Sequence, residues 1–328
     1  METLLLGPDD VDACIDISDA IVAVEEAFAA HHRGESVMPA KSYIDLPDVD
    51  GDFRAMPAYV DDGAGVKWVN SHPDNPTEHG LPTVMGVMIY SDPATAFPLA
   101  VIDGTTLTRI RTGAAAGVAT DHLARDDAAT LGLVGAGAQA HTQLEAVAAV
   151  RDLDRVVVAD RSEAAIEAFL EREGERDLDV VSGSVEDAAG CDIVSTTTPS
   201  REPVVEREWV LDGAHVNAMG ADAEGKQELE PAILRDAVVV IDDWAQCRHS
   251  GEINVPLAAG DVEESDVHGE IGAVVAGDAA GRTRDDQITV FDSTGLAIQD
   301  VAASRVCYER ADADGIGTPF ALVDTALD

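Results

Sequence analysis

The sequence predicts an α/β chain in which a doubly wound parallel sheet is joined to a mostly antiparallel α+β domain. Three observations predict it. From about residue 118 short apolar runs, TLGLV, VVVAD, DIVSTTT, HVNAMG and AVVVIDD, alternate with helix-like segments, the signature of parallel strands linked by crossover helices. Before that point, SYIDL, DFRAMPAYV, GVKWVN and TVMGVMIYSD follow one another between Gly, Pro and Asp, as consecutive antiparallel strands do. The 46% hydrophobic content supplies apolar surface for a large core despite heavy charge.

In chain order, residues 11 to 33 are expected to form one amphipathic helix, with Val11, Cys14, Ile15, Ile21, Val22, Val24 and Phe28 at near-helical spacing. The four strand-like pieces follow. A last apolar-periodic segment, GLAIQDVAASRVCYERA at 295 to 311, is expected to return to the first domain and make it discontinuous. The expected boundaries are 1–117 completed by 297–328, and 118–296 for the parallel-sheet domain. DADG, at 312 to 315, resembles a flexible acidic connector. No repeat of solenoid period is present.

The charge balance narrows function. With 63 acidic against 21 basic side chains the formal charge is −42, which repels nucleic-acid phosphates and anionic lipid alike. Dense carboxylates fit concentrated salt, where counterions screen their repulsion, so a halophilic source is expected. Of the 21 basic residues only Lys41, Lys67 and Lys226 are lysines, leaving eighteen arginines. A surface lysine is readily replaced; a titratable ammonium is not, because guanidinium stays charged. The survivors are therefore candidates for chemistry. Cys14, Cys191, Cys247 and Cys307 form no CxxC pair, so neither a disulfide framework nor a cysteine zinc site is indicated. METLLLGPDD has no basic segment and no long apolar run follows it, so a cytoplasmic protein is expected.

LGLVGAGAQA, residues 131 to 140, is the most specific local signal. Gly135 permits a sharp strand-to-helix turn, Gly137 lets the backbone approach a pyrophosphate, and Ala140 permits close helix packing. Asp160, at the end of VVVAD, stands 20 residues beyond Ala140, where an acidic side chain accepts from the adenine ribose and disfavours a 2′-phosphate. A Rossmann-type site preferring NAD is expected, with NADP admitted because Arg161 follows. The alternative is that Asp160 caps a turn and Arg161 is a surface charge.

Lys67, between Val66 and Trp68, is a candidate for an enclosed site on a strand, against a solvated polar face. Lys41, in MPAKSY, is a candidate for a substrate carboxylate, against a surface ion pair. Arg111 and Thr112, in LTRIRTGAAAGVA, could bind carboxylate or phosphate, with Arg109 competing and a salt bridge as the plain alternative. Asp222 and Lys226, in GADAEGKQELEP, follow a buried strand whose carboxyl end opens toward ligand; the alternatives are a turn cap and a Lys226–Glu228 pair. Ser293, in FDSTG, could reach a nicotinamide or cap a helix. The histidines, His31 and His32 among them, form no metal-ligand set, and no GxSxG elbow is present. No metal is expected.

Taken together, MPAKSY, GVKWVN, GLPTVMGV, LTRIRTGAA, GAGAQA, GADAEGKQEL, SGEINVPL and FDSTGLAIQD resemble, in order and over nearly the whole chain, the ornithine cyclodeaminase/mu-crystallin family, closest to its archaeal alanine dehydrogenase branch. The resemblance implies a homodimer joined through the first domain and a second domain binding NAD(P). It implies Lys67 as proton donor and acceptor and Asp222 as a second acid–base residue. Cofactor contacts are implied for Arg111, Ala138, Gln139, Asp160, Arg161, Ser162, Met219, Gly220, Ala221, Lys226 and Ser293, with Lys41 or Arg111 on the substrate carboxylate. Lys41 stands where the family often has arginine, and Glu224 where it often has proline. The implied activity is reversible oxidative deamination of L-alanine to pyruvate and ammonium. The rivals are ornithine cyclodeamination or imine reduction, and a cofactor-binding protein without turnover.

Overall fold

The computed structural model describes residues 1–46, 48 and 51–325. The chain divides into two compact units, Met1–Arg111 with Leu296–Asp328, and Thr112–Gly295; residues 326–328 of the expected first domain lie outside the described residues. The helix Gly104–Leu123 carries the chain from one unit into the other.

The first unit is built on a sheet of β1 (Thr3–Leu6), β2 (Ser42–Leu46), β3 (Gly51–Val60), β4 (Gly63–Ser71), β5 (Val84–Ser91), β6 (Pro98–Asp103) and a short final strand, Thr318–Phe320. Their order is Thr318–Phe320, β1, β6, β5, β4, β3, β2. Every pairing is antiparallel except β1 with β6. The register sets Met56, Lys67 and Met88 side by side, on the face that packs against the helix Ala297–Asp314. Because side chains alternate across a strand, their neighbours Ala55, Trp68 and Val87 lie together on the other face.

Two expectations here are corrected. The helix foreseen over 11 to 33 is two helices, Pro8–Cys14 and Ile17–His32. Ile15 is extended and Asp16 accepts from the Asp19 amide at 2.9 Å, so a cap interrupts an unbroken apolar period. Within the second helix Val22 is exposed. The foreseen connector at 312 to 315 instead ends a helix: Ala297–Asp314 runs through it and stops at Gly315, whose φ of 69° closes the helix in the left-handed region.

The second unit is an eight-stranded sheet of β7 (Thr130–Val134), β8 (Arg155–Ala159), β9 (Asp179–Ser182), β10 (Ile193–Thr196), β11 (His215–Ala218), β12 (Val238–Ile241), β13 (Val267–Glu270) and β14 (Thr289–Asp292). The order is β13, β12, β14, β11, β10, β7, β8, β9, parallel throughout. From β7 the chain winds outward through β8 and β9, then returns to lay β10 on the other side. The reversal lies at β7 and β10, and ligands of such sheets bind at the carboxyl ends beside it. The inner strands β10, β11 and β14 are buried at every position, as strands covered on both faces are, and they bury Ser195, Thr196, His215, Asn217, Thr289 and Asp292 along with their apolar residues. No described helix is long and apolar enough to cross a membrane.

Candidate active site

In the first unit the chemistry gathers around Lys67. Strand alternation places Trp68 outward, 43% exposed, and Lys67 inward, 1% exposed, among the packed side chains under the helix Ala297–Asp314. Its Nζ donates to Asp300 Oδ1 at 2.7 Å and to Thr108 Oγ1 at 3.1 Å. Arg111 shares the same carboxylate oxygen, with Nε at 3.0 Å, and its Nη1 donates to Gln299 Oε1 at 3.1 Å. Burial, reinforced by the charges of Arg111 and Lys41, pulls Lys67 down to about 7 against the opposing pull of Asp300. Desolvation wins because a buried ammonium loses more hydration than one shared carboxylate oxygen returns. The result is an amine that exchanges a proton near neutrality.

Lys41 is half-buried and contributes to that field. Arg109 points elsewhere, to Asp12 at 2.8 Å. Asp300 and Gln299 were not foreseen. The available signal was a carboxylate embedded in an apolar helical run, Ala297, Ile298, Val301, where a charge needs a buried partner.

In the second unit the glycine turn lies between β7 and the helix Ala138–Val150. Gly135 has a φ of 107°, and a Cβ there would meet Thr197 Oγ1 at 2.8 Å, so only glycine fits. Gly137 caps the helix, and a Cβ there would meet nothing within 4 Å. The open space over a thirteen-residue helix's amino end is what a pyrophosphate would fill. Ala138 is exposed, Gln139 half-buried and Ala140 fully buried. Asp160 joins the turn to β8: its Oδ2 accepts from the Ala136 amide and its Oδ1 from the Ser162 amide, each at 2.8 Å. Ser162 caps the next helix by accepting from Ala165, while Arg161 is exposed. Thr112 is buried and its carbonyl accepts from Gln143.

Beyond β11, Met219 and Ala221 are buried, and the Gly220 amide donates to Glu228 Oε2 at 2.8 Å. Glu228 also accepts from Thr196 and Thr198, a brace across two strand ends not anticipated from sequence. Lys226 does not pair with Glu228; its Nζ lies 2.5 Å from Asp222 Oδ1, the two brought together by a turn closed by the Lys226 amide donating to the Ala223 carbonyl at 3.2 Å. Asp222 is thus held by an ammonium. Ser293 caps no helix. Its hydroxyl donates to Asp242, which also accepts from the Thr294 and Gly295 amides. Among the described residues no group of His, Cys, Asp and Glu could hold a metal.

The family model for ornithine cyclodeaminase/mu-crystallin proteins matches residues 1–315. An alanine dehydrogenase of Archaeoglobus fulgidus is 48% identical over 318 residues, covering 97% of this chain and 98% of that one. Among solved structures, an archaeal alanine dehydrogenase dimer with bound NAD superposes with a TM-score of 0.95 at 48% identity, covering 98% of this chain and all of that one. The Δ1-pyrroline-2-carboxylate reductase of Thermococcus litoralis, in complex with NADH and L-proline, gives 0.93 at 35% identity, covering 96% and 99%.

Proposed function

The chain belongs to the ornithine cyclodeaminase/mu-crystallin family, and from that premise we propose that it is an NAD-dependent L-alanine dehydrogenase. The observation that carries this reading is Lys67: a fully buried amine held to about 7 in a chain so close in sequence to an alanine dehydrogenase. Bound NAD would supply the acceptor for the Cα hydride, and the imine left on the substrate would add water to give pyruvate and ammonium.

Lys67 Nζ takes the proton of the adding water as free amine and returns it to the departing nitrogen as ammonium. Arg111 or Lys41 holds the substrate carboxylate, a planar anion matched by a guanidinium. Asp222, oriented by Lys226, serves as the second acid–base group. The turn Gly135–Ala140 takes the pyrophosphate, with Arg111, Thr112, Ala138, Gln139, Arg161, Ser162, Met219, Gly220, Ala221, Lys226 and Ser293 as further cofactor contacts. Asp160, held by the Ala136 and Ser162 amides, is the carboxylate that would accept from the adenine ribose, an acidic group at that position favouring NAD over NADP.

The first unit's open sheet face is the proposed homodimer surface. Ile44, Trp68, Val87 and Ile89 are each more than 40% exposed there, an apolar exposure expected to be covered by a partner.

Alanine and NAD in high salt should yield NADH stoichiometric with pyruvate. Ammonia released from ornithine without net NADH would replace this reading with cyclodeamination. Preferential reduction of a cyclic imino acid, the activity the Thermococcus litoralis likeness favours, would replace it with imine reduction.

A further inference from the structure

The buried polar cluster around Lys67 contains a carboxylate, Asp300, that the proposed chemistry leaves without a task. Asp300 is 0% exposed. Both cations at Lys67 and Arg111 converge on its Oδ1, at 2.7 and 3.0 Å, while Oδ2 is buried with no hydrogen-bond partner. The Nε2 of the adjacent Gln299 is likewise buried and unpartnered, although its Oε1 accepts from both Arg111 and the Leu296 amide. An anion that satisfies only half of its acceptors is not arranged for stability alone, since a buried unpaired oxygen is costly.

We propose that Asp300 is a positioning residue that couples Lys67 to Arg111, so that each cation's hold on the shared oxygen sets the proton affinity of Lys67. This rests on the reading of Lys67 as the proton donor and acceptor. Two cations on one oxygen compete. When Arg111 holds it firmly, Asp300 offers less charge to Lys67 and the free amine is favoured. When a carboxylate ligand draws Arg111 away, Asp300 turns its charge to Lys67 and the ammonium is favoured. Arrival of a carboxylate substrate would thereby load the proton needed for the departing nitrogen.

Among the described residues, the charged groups that face Lys67 come from few elements. Asp300 lies on the helix Ala297–Asp314 and Arg111 with Thr108 on the helix Gly104–Leu123. Lys41 precedes β2, and Arg54 on β3 points to the same face but is held by Asp52. Asp300 is the carboxylate bonded directly to Lys67.

Three lysines make the test direct. Protein labelled with 13C at the lysine Cε gives three side-chain resonances, assigned by Lys41→Arg and Lys226→Arg. Lys67 should titrate near 7. In Asp300→Asn its midpoint should fall, the proton affinity dropping at least tenfold, because the one interaction strongly favouring the ammonium is gone. In Arg111→Gln, which retains Asp300 should the first variant fold poorly, the midpoint should rise. An unmoved midpoint in either folded variant, or a shift of opposite sign, overturns the proposal. The readout needs no turnover, so it stands or falls separately from the alanine dehydrogenase reading. In wild type, a substrate-like carboxylate such as pyruvate should raise the midpoint; no response to saturating pyruvate counts against the coupling.

Discussion

Lys67→Arg separates charge from proton exchange. In wild type the fall from 10.5 to about 7 raises the free-amine fraction at pH 7 from about 3 in 10,000 to about one half. The protein thus multiplies the competent base by roughly three orders of magnitude, within the range of about 100- to 10,000-fold that a positioned acid–base group contributes. Arginine keeps a cation beside Asp300 but cannot release a proton at accessible pH. Alanine oxidation by Lys67→Arg should fall by about 100-fold or more in kcat, with NAD affinity within about threefold of wild type. Wild-type kcat/KM should fall about tenfold per pH unit below a limb near 7 as the free amine is protonated, and the variant should lose that limb. Steady-state rates followed by NADH absorbance across pH 5 to 10 at fixed salt, as an order-of-magnitude span around the expected limb, with NAD titrated by fluorescence, measure all three quantities. Near-normal turnover in Lys67→Arg with unchanged NAD binding would refute the proton-transfer role.

Gly137→Ala should fold as wild type, since its φ of −78° suits alanine and a Cβ there meets nothing, yet NAD should bind at least about tenfold more weakly because the methyl occupies the pyrophosphate's space; calorimetry of binding beside a thermal melt checks both. Gly135→Ala should instead lower the melting temperature, through its φ of 107° and the collision with Thr197. Trp68→Asp and Val87→Asp place charge on the exposed sheet face and should shift the proposed dimer to monomer in analytical ultracentrifugation, with little change in far-UV circular dichroism. With a formal charge of −42, transfer from about 3 M to about 0.1 M potassium chloride lengthens the screening distance at least threefold and should lower the melting temperature by on the order of ten degrees or more.

The two-sheet architecture was legible because its signals are local. In the parallel sheet β7, β8 and β12 are buried along most of their length and read as near-continuous apolar runs. Those of the antiparallel sheet are punctuated by Gly, Pro and Asp. The glycine turn was legible for the same reason, since its glycines sit between a strand run and a helix run at fixed spacing within ten consecutive residues. The break at Asp16 and the helical end of the DADG segment were misjudged, because an apolar period continues through a cap, and an acidic stretch closed by a glycine reads as a flexible connector as readily as a helix ending at a left-handed glycine. For the candidate site, scarcity singled out Lys67, but the partners of all three lysines were hidden. Asp300 stands 233 positions from Lys67, and Lys226 had two carboxylates in reach, of which Asp222 rather than Glu228 receives it.

By itself the sequence determined what each segment can become, since apolar period, turn residues and the rarity of ammonium groups are written in neighbouring positions. Only the tertiary structure decided which charges meet. A buried ion's energy depends on the dielectric around it and on every partner within a few ångströms, and those partners come from two helices and a loop residue far apart in the chain. The proton affinity of Lys67 is therefore a property of the assembled core that no stretch of residues around GVKWVN contains.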